Sequence, residues 1–100
     1  MVNTHNIVWT KRAQLHIREV FDYISLDSPN SAIRVIEDIT IAIRNAVEQP
    51  KIYAADRFKL NNDGSYRSFE KHNYRIVYRV EKNVIRILLI RHTSRMPHQY

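Results

Sequence analysis

Apolar and polar residues recur with two different periods along this chain, and the changes of period mark out its elements. Ile7-Val8-Trp9 is a short apolar run that reads as a first strand. Thr10 behind it is a helix-capping residue. Between Lys11 and about Ser25, the residues Ala13, Ile17, Val20, Phe21 and Ile24 recur at steps of three and four, the spacing of one helix face. Ser28-Pro29 restarts a helix, because proline fits the first helical position. From about Asn30 to Glu48 a stripe of Ala32, Ile36, Ile39, Ile43 and Ala46, widened by Ile33, Val35 and Val47, predicts a second helix, ended by Pro50. A break of about four residues between them fits an antiparallel helical hairpin.

Residues 51–65 read as a longer connection. Its strong turn signal is Asn61-Asn62-Asp63-Gly64, and Gly64 is the only glycine in the chain, so the left-handed backbone position is expected there. The period then drops to two. Tyr66 to Lys71, Tyr74 to Val80 and Val84 to Ile90 read as strands, separated by turns at His72-Asn73 and Glu81-Lys82-Asn83. Within Tyr74–Val80, Arg75 and Arg79 fall opposite Tyr74, Ile76, Tyr78 and Val80. The order β-α-α-β-β-β describes an α+β fold in which a helical hairpin packs on a small, mostly antiparallel sheet. One domain over residues 1–100 accommodates it. One sheet face is expected against the hairpin, and the other is expected to display Arg, His and Tyr.

Charge sharpens this picture. The chain has a formal net charge of +6 and a pI near 9.9, which favours nucleic acid or an acidic protein as partner. It contains no cysteine, so disulfide, thiolate and cysteine–metal chemistry are excluded. His5, His16, His72 and His98 are too scattered for a metal site, and neither a metal nor a cofactor is expected. No apolar run approaches the ~20 residues of a membrane span, so no membrane partner is expected. Met1 to Asn6 lacks the regions of a signal peptide, and the expected location is the cytoplasm.

Four stretches carry a family resemblance: Phe58 to Glu70, the motif Tyr74-Arg75-Ile76-Val77-Tyr78-Arg79-Val80, Ile85-Arg86-Ile87, and Arg91-His92-Thr93-Ser94-Arg95-Met96-Pro97. With the element order, they resemble the RelE/ParE superfamily of bacterial toxins from type II toxin–antitoxin modules. The first half of the chain matches only as a strand followed by two helices. The resemblance implies a growth inhibitor neutralised by a cognate acidic antitoxin. That antitoxin would fold onto the basic sheet face and the hairpin groove. ParE-like members act on DNA gyrase. RelE-like members are similar in fold but cut mRNA in the ribosome.

The two branches place different demands on the same residues. In the RelE-like reading, Arg75 holds a phosphate oxygen, His92 moves a proton, Arg95 stabilises charge and Tyr100 stacks or moves a proton. A 2′-hydroxyl attack assisted by His92 and Arg75 is the form such a nuclease would take. As the last residue, Tyr100 is also a candidate for fraying. RelE-like nucleases usually carry lysines where this chain has Arg67 and Phe69. Arginine is not a ready proton donor, and phenylalanine cannot bind phosphate. That departure favours the ParE-like branch, with DNA gyrase as target. In either reading Arg67, Phe69, Arg79, Arg86 and Arg91 are candidates for binding a partner or nucleic acid. Trp9 and Tyr23 are read as packing residues.

Overall fold

A computed structural model describes residues 5–100. The elements are β1 (Asn6–Trp9), α1 (Lys11–Ser25), α2 (Pro29–Glu48), β2 (Tyr66–Lys71), β3 (Tyr74–Glu81) and β4 (Val84–His92). The strands form one sheet in the order β1-β4-β3-β2. β3 pairs antiparallel with β2 and with β4, while β1 runs parallel to β4. A parallel pair needs a long crossover, which the hairpin and the segments after it supply. The expected α+β architecture is therefore present. Helix α2 begins at Pro29 rather than Asn30, and β3 and β4 run on to Glu81 and His92. Among the described residues, no helix is long and apolar enough to cross a membrane.

Local chemistry explains the boundaries. Thr10 caps α1: its Oγ1 accepts from the Ala13 amide at 3.1 Å and donates to the Ile87 carbonyl at 2.9 Å. One hydroxyl thus starts the helix and pins it to β4. Ser28 does the first of these jobs for α2 by accepting from the Ser31 amide, with Pro29 in the first turn. The β2–β3 hairpin turns through His72 and Asn73, at φ 52° and 65°, the left-handed pair that matches strand twist. Gly64 sits at φ +94°, where the sequence placed the left-handed residue. Asn61 and Asn83 are also left-handed, as short amides tolerate.

The core lies between the hairpin and the sheet. Ile39, Ile43 and Ala46 of α2 and Ala13 and Val20 of α1 are buried with Ile76, Tyr78, Ile85, Ile87 and Ile90. Tyr78 has no exposed surface, and its hydroxyl donates to the Pro50 carbonyl at 2.9 Å. That bond satisfies a buried polar group and ties down the chain leaving α2. Burial pushes its phenol up to about 12.

Two features depart from simple alternation. Val77 pairs with Leu89 but Tyr78 pairs with Ile87, so Leu88 is an extra residue in β4. This bulge reverses the strand's parity. Ile85 and Ile87 face the helices before it; Ile90 and His92 do so after it. Arg86 and Arg91, of opposite parity in sequence, therefore both pair with arginines of β3, Arg79 and Arg75. The second departure corrects the expectation of an open outer face. Val77 has no exposed surface and Arg75 only 8%. Residues 56–60 and Tyr100 cover them, joined by Leu60 N–H to the Tyr100 oxygen (2.6 Å) and Tyr100 N–H to the Phe58 carbonyl (3.1 Å).

Thr10→Ala removes both the helix cap and the tie to the bulge. It is expected to cost about 1–2 kcal/mol in a urea unfolding series, at the upper end for cap deletions. Ser28→Ala, which removes a cap alone, should cost less.

Candidate functional site

Two clusters of polar side chains stand out, one on each face of the sheet. The outer cluster is built around Asp56, a residue of the connection that is only 2% exposed. Arg75 Nη2 donates to both of its carboxylate oxygens, at 2.9 and 2.8 Å. Tyr100 Oη donates to Oδ2 at 2.6 Å, and Ser68 Oγ donates to Oδ1 at 3.1 Å. Burial by itself would raise the Asp56 pKa. The hydrogen bonds from Tyr100 and Arg75, the Arg75 charge and the Ser68 bond outweigh it, so the carboxyl is held below its usual range. Tyr100 responds in the opposite sense: burial and its bond to the Asp56 carboxylate push the phenol well above 10. Phe58 closes the cluster, its ring 4.9 Å from the Arg75 guanidinium carbon. Arg75 Nε is buried without a partner among the described residues.

The inner cluster lies where β4 runs past the end of β1. There His16, Glu19, Val20 and Tyr23 of α1 face Tyr74, Ile90, Arg91, His92, Ser94 and Arg95 around a cavity of about 430 Å³. His16 Nδ1 accepts from the Ile90 amide at 3.1 Å and so caps the edge of β4 that β1 no longer covers. His92 Nδ1 accepts from the Ser94 amide at 3.1 Å, and its ring stands edge-on to Tyr74 at 5.2 Å. An amide can only donate, so both Nδ1 atoms are unprotonated and each neutral ring carries its proton on Nε2. Burial lowers the His16 pKa. The charges of Arg91 and Arg12 lower it further, Glu19 opposes them, and Arg95 adds a smaller push downward.

The predicted site residues fall in several places. Arg75 and Tyr100 meet at Asp56, so Tyr100 is anchored, which corrects the expectation of a frayed residue. His92 and Arg95 lie together at the inner cavity, on the helix side of the sheet. The four residues drawn together by the nuclease reading therefore occupy two clusters. Arg67 and Phe69 pair with Tyr78 and Ile76, which puts them on the helix side, away from Arg75 and Arg79. Arg67 donates to the Gly64 and Tyr53 carbonyls at 3.0 and 2.8 Å. Phe69 stacks on Tyr53 with ring centroids 4.3 Å apart. Arg79 lies over the Tyr66 ring at 4.8 Å, and Arg86 grips Glu81 at 2.7 and 3.2 Å. Arg91 borders the inner cavity. Tyr23, expected to pack, is 71% exposed on its rim.

Sequence reasoning missed Asp56 and His16. Asp56 had one available signal: an acid in the connection outside its turn motif, flanked by Tyr53 and Phe58, in a basic chain. His16 is half-buried on α1 and gave no comparable sign. Among the described residues no group of His, Asp or Glu side chains is placed to hold a metal ion.

Comparison with known proteins places this geometry. A family model described as the ParE toxin of the type II toxin–antitoxin system, parDE, matches residues 7–97. The chain is similar in structure to a protein of the chromosomal ParDE toxin–antitoxin system of P. aeruginosa. That match has a TM-score of 0.69 at 20% identity, and covers 90% of this chain and 97% of the other. It is also similar to a chain of the RelBE2 toxin–antitoxin complex of Mycobacterium tuberculosis. There the TM-score is 0.60 at 17% identity, over 92% of this chain and 94% of the other. None of the curated proteins matches the sequence.

Two stability measurements check these clusters. Arg75→Met leaves Asp56 buried without its cation and is expected to cost about 3–5 kcal/mol, whereas Arg75→Met with Asp56→Leu recovers much of that loss. Equal losses in the single and double variants would show that the pair is not coupled. The second concerns pH. The folded His16 pKa lies below its unfolded value near ~6.5, so folding favours the neutral ring. Stability from this group is complete above ~6.5, falls as pH drops toward the folded pKa, and is flat below it. His16→Gln is expected to remove that part of the pH dependence below ~6.5 in urea titrations.

Proposed function

Since the chain belongs to the ParE toxin family of type II toxin–antitoxin systems, we propose that it arrests growth by acting on DNA gyrase, without cutting nucleic acid, and that a cognate acidic antitoxin silences it in the cytoplasm. The observation that carries this reading is the state of Arg75. Its charge is already spent on Asp56, its guanidinium is covered by Phe58, and Tyr100 donates to the same carboxylate. A phosphate arriving at the outer face would have to displace a buried carboxylate, at the cost of breaking a desolvated ion pair.

The proton-transfer half of a nuclease is equally poorly served. His92 uses its Nδ1 lone pair on the Ser94 amide, and its remaining nitrogen bears the proton in the neutral ring. Such a ring can donate but is not ready to act as a base. It is also on the opposite side of the sheet from Arg75. A mechanism that needs Arg75, His92, Arg95 and Tyr100 around one scissile phosphate finds them divided. Binding to a protein target makes no such demand, and a basic domain with exposed aromatic and apolar residues suits it.

Inducible expression of the chain by itself, with DNA and protein synthesis followed separately by pulse labelling, tests the proposal. DNA synthesis is expected to stop first, with chromosome breaks that disappear in a gyrase-resistant host. Translation stopping first, with cleaved mRNA, would overturn it. His92→Ala separates the readings again. It should leave growth arrest within about tenfold, whereas loss of a general acid or base would cost about 10²–10⁴-fold.

A further inference from the structure

The inner cavity has a one-sided polar wall. With both Nδ1 atoms bonded to backbone amides, the free ring nitrogens of His16 and His92 are N–H donors. The guanidiniums of Arg91 and Arg95 add donors only. Neither arginine makes an ion pair among the described residues, where the pairs are His72–Asp38, Arg75–Asp56 and Arg86–Glu81. Arg91 and Arg95 both line the opening, which places two cations without an ion pair around one spot. Glu19 is the single carboxylate on the wall. Beside this wall the exposed ring of Tyr23 and the buried ring of Tyr74 supply an apolar flank.

Such a surface selects an anion attached to something apolar. The rest of the sheet decides which kind. A nucleic-acid strand is held by a track of several phosphate contacts. Here the other sheet arginines do not form one: Arg75 is buried with Asp56, Arg86 is forked on Glu81, and Arg67 is bonded to carbonyls on the helix side. Arg79 lies over the Tyr66 ring, while Arg91 and Arg95 converge on one concave spot, which suits a single carboxylate presented next to an aromatic or apolar side chain. Arginine and tyrosine around a concave centre are also the residues in which protein–protein binding energy concentrates.

We propose that the cavity between α1 and the end of β4 is the socket for an acidic side chain of the antitoxin, seated against Arg95, Arg91 and His92 with its neighbouring residue on Tyr23. This rests on the antitoxin reading above and adds where and by what chemistry the antitoxin is held. The socket is distinct from the Asp56 cluster, so toxin folding and antitoxin capture use different residues.

The test measures binding of the acidic protein encoded beside this chain to purified full-length variants by calorimetry at physiological salt. Arg95→Glu changes an exposed side chain and leaves the Asp56 cluster intact. Lys82→Glu, in the β3–β4 turn, makes the same charge change away from the cavity. Arg95→Glu is expected to weaken binding at least ~30-fold, and Lys82→Glu less than ~3-fold, because a contact charge acts on the complex while a remote one acts through a screened field. His92→Ala should fall between. Equal effects of the two charge reversals would overturn the socket while leaving the antitoxin reading standing. No binding by the wild-type chain would overturn that reading, and the socket with it. If the reversal at Arg95 instead abolishes binding of a single-stranded oligonucleotide and spares the protein, the cavity serves nucleic acid and the proposal is wrong.

Discussion

The buried contact between Asp56 and Arg75 is the constraint on which the outer half of the molecule depends. A carboxylate in this position is unfavourable unless nearly every acceptor site is used. Asp56 meets that demand with donors from three separate parts of the chain: Arg75 on β3, Ser68 on β2 and Tyr100 near the end. None of these can move without exposing or orphaning the charge. The pair therefore fixes where the connection after α2 lies and where the chain finishes. It does so imperfectly, since Arg75 presents one nitrogen to both oxygens and leaves Nε unpartnered. A buried pair of this kind adds little net stability over apolar residues of the same size. Its value here is positional: it chooses one arrangement of a loop that has little other secondary structure.

The inner half is organised by a different device, the extra residue at Leu88. The bulge turns β4 over so that Ile90 and His92 continue the face begun by Ile85 and Ile87. On its other edge β1 pairs with β4 only as far as Ile87. Thr10 and His16, both on the α1 side, take over the free carbonyl and amide there. The opening bordered by Arg91 and Arg95 exists because α1, rather than a fifth strand, covers that edge. A backbone irregularity thus creates the concave spot, and helix side chains line it.

Much of this was legible in the sequence. The two helices, their caps at Thr10 and Ser28, and the left-handed Gly64 follow from period and turn chemistry alone. The face of Arg67 and Phe69 was legible too, although parity within one strand does not reveal it. A two-residue turn at His72-Asn73 pairs Lys71 with Tyr74, and counting outward pairs Phe69 with Ile76. That count places both residues on the helix side. The bulge was not legible, because Leu88 and Leu89 fit either side of a half-buried strand equally well. Nor was Asp56, whose partners are 12, 19 and 44 positions away in the chain. Long-range polar contacts leave no periodic trace.

These two devices change what the net charge of +6 means. Read from composition, it suggests a continuous basic face. In the folded chain the sheet arginines have separate tasks. Arg75 balances a buried acid, Arg86 holds a turn through Glu81, Arg79 covers Tyr66, and Arg67 supports the connection through its carbonyls. What remains concentrated is the group around His16 and His92, where the ring Nε2 atoms and the guanidinium nitrogens donate and α1 contributes only one opposing carboxylate. Long-range attraction to an acidic partner comes from the whole molecule, since exposed charges add over distances near the Debye length of ~8–10 Å. Recognition at contact needs a desolvated, directional site, and the total charge does not supply one. The fold separates the two: in the proposed reading the distributed arginines draw an acidic partner in, and the concave cluster of Arg91 and Arg95 meets it.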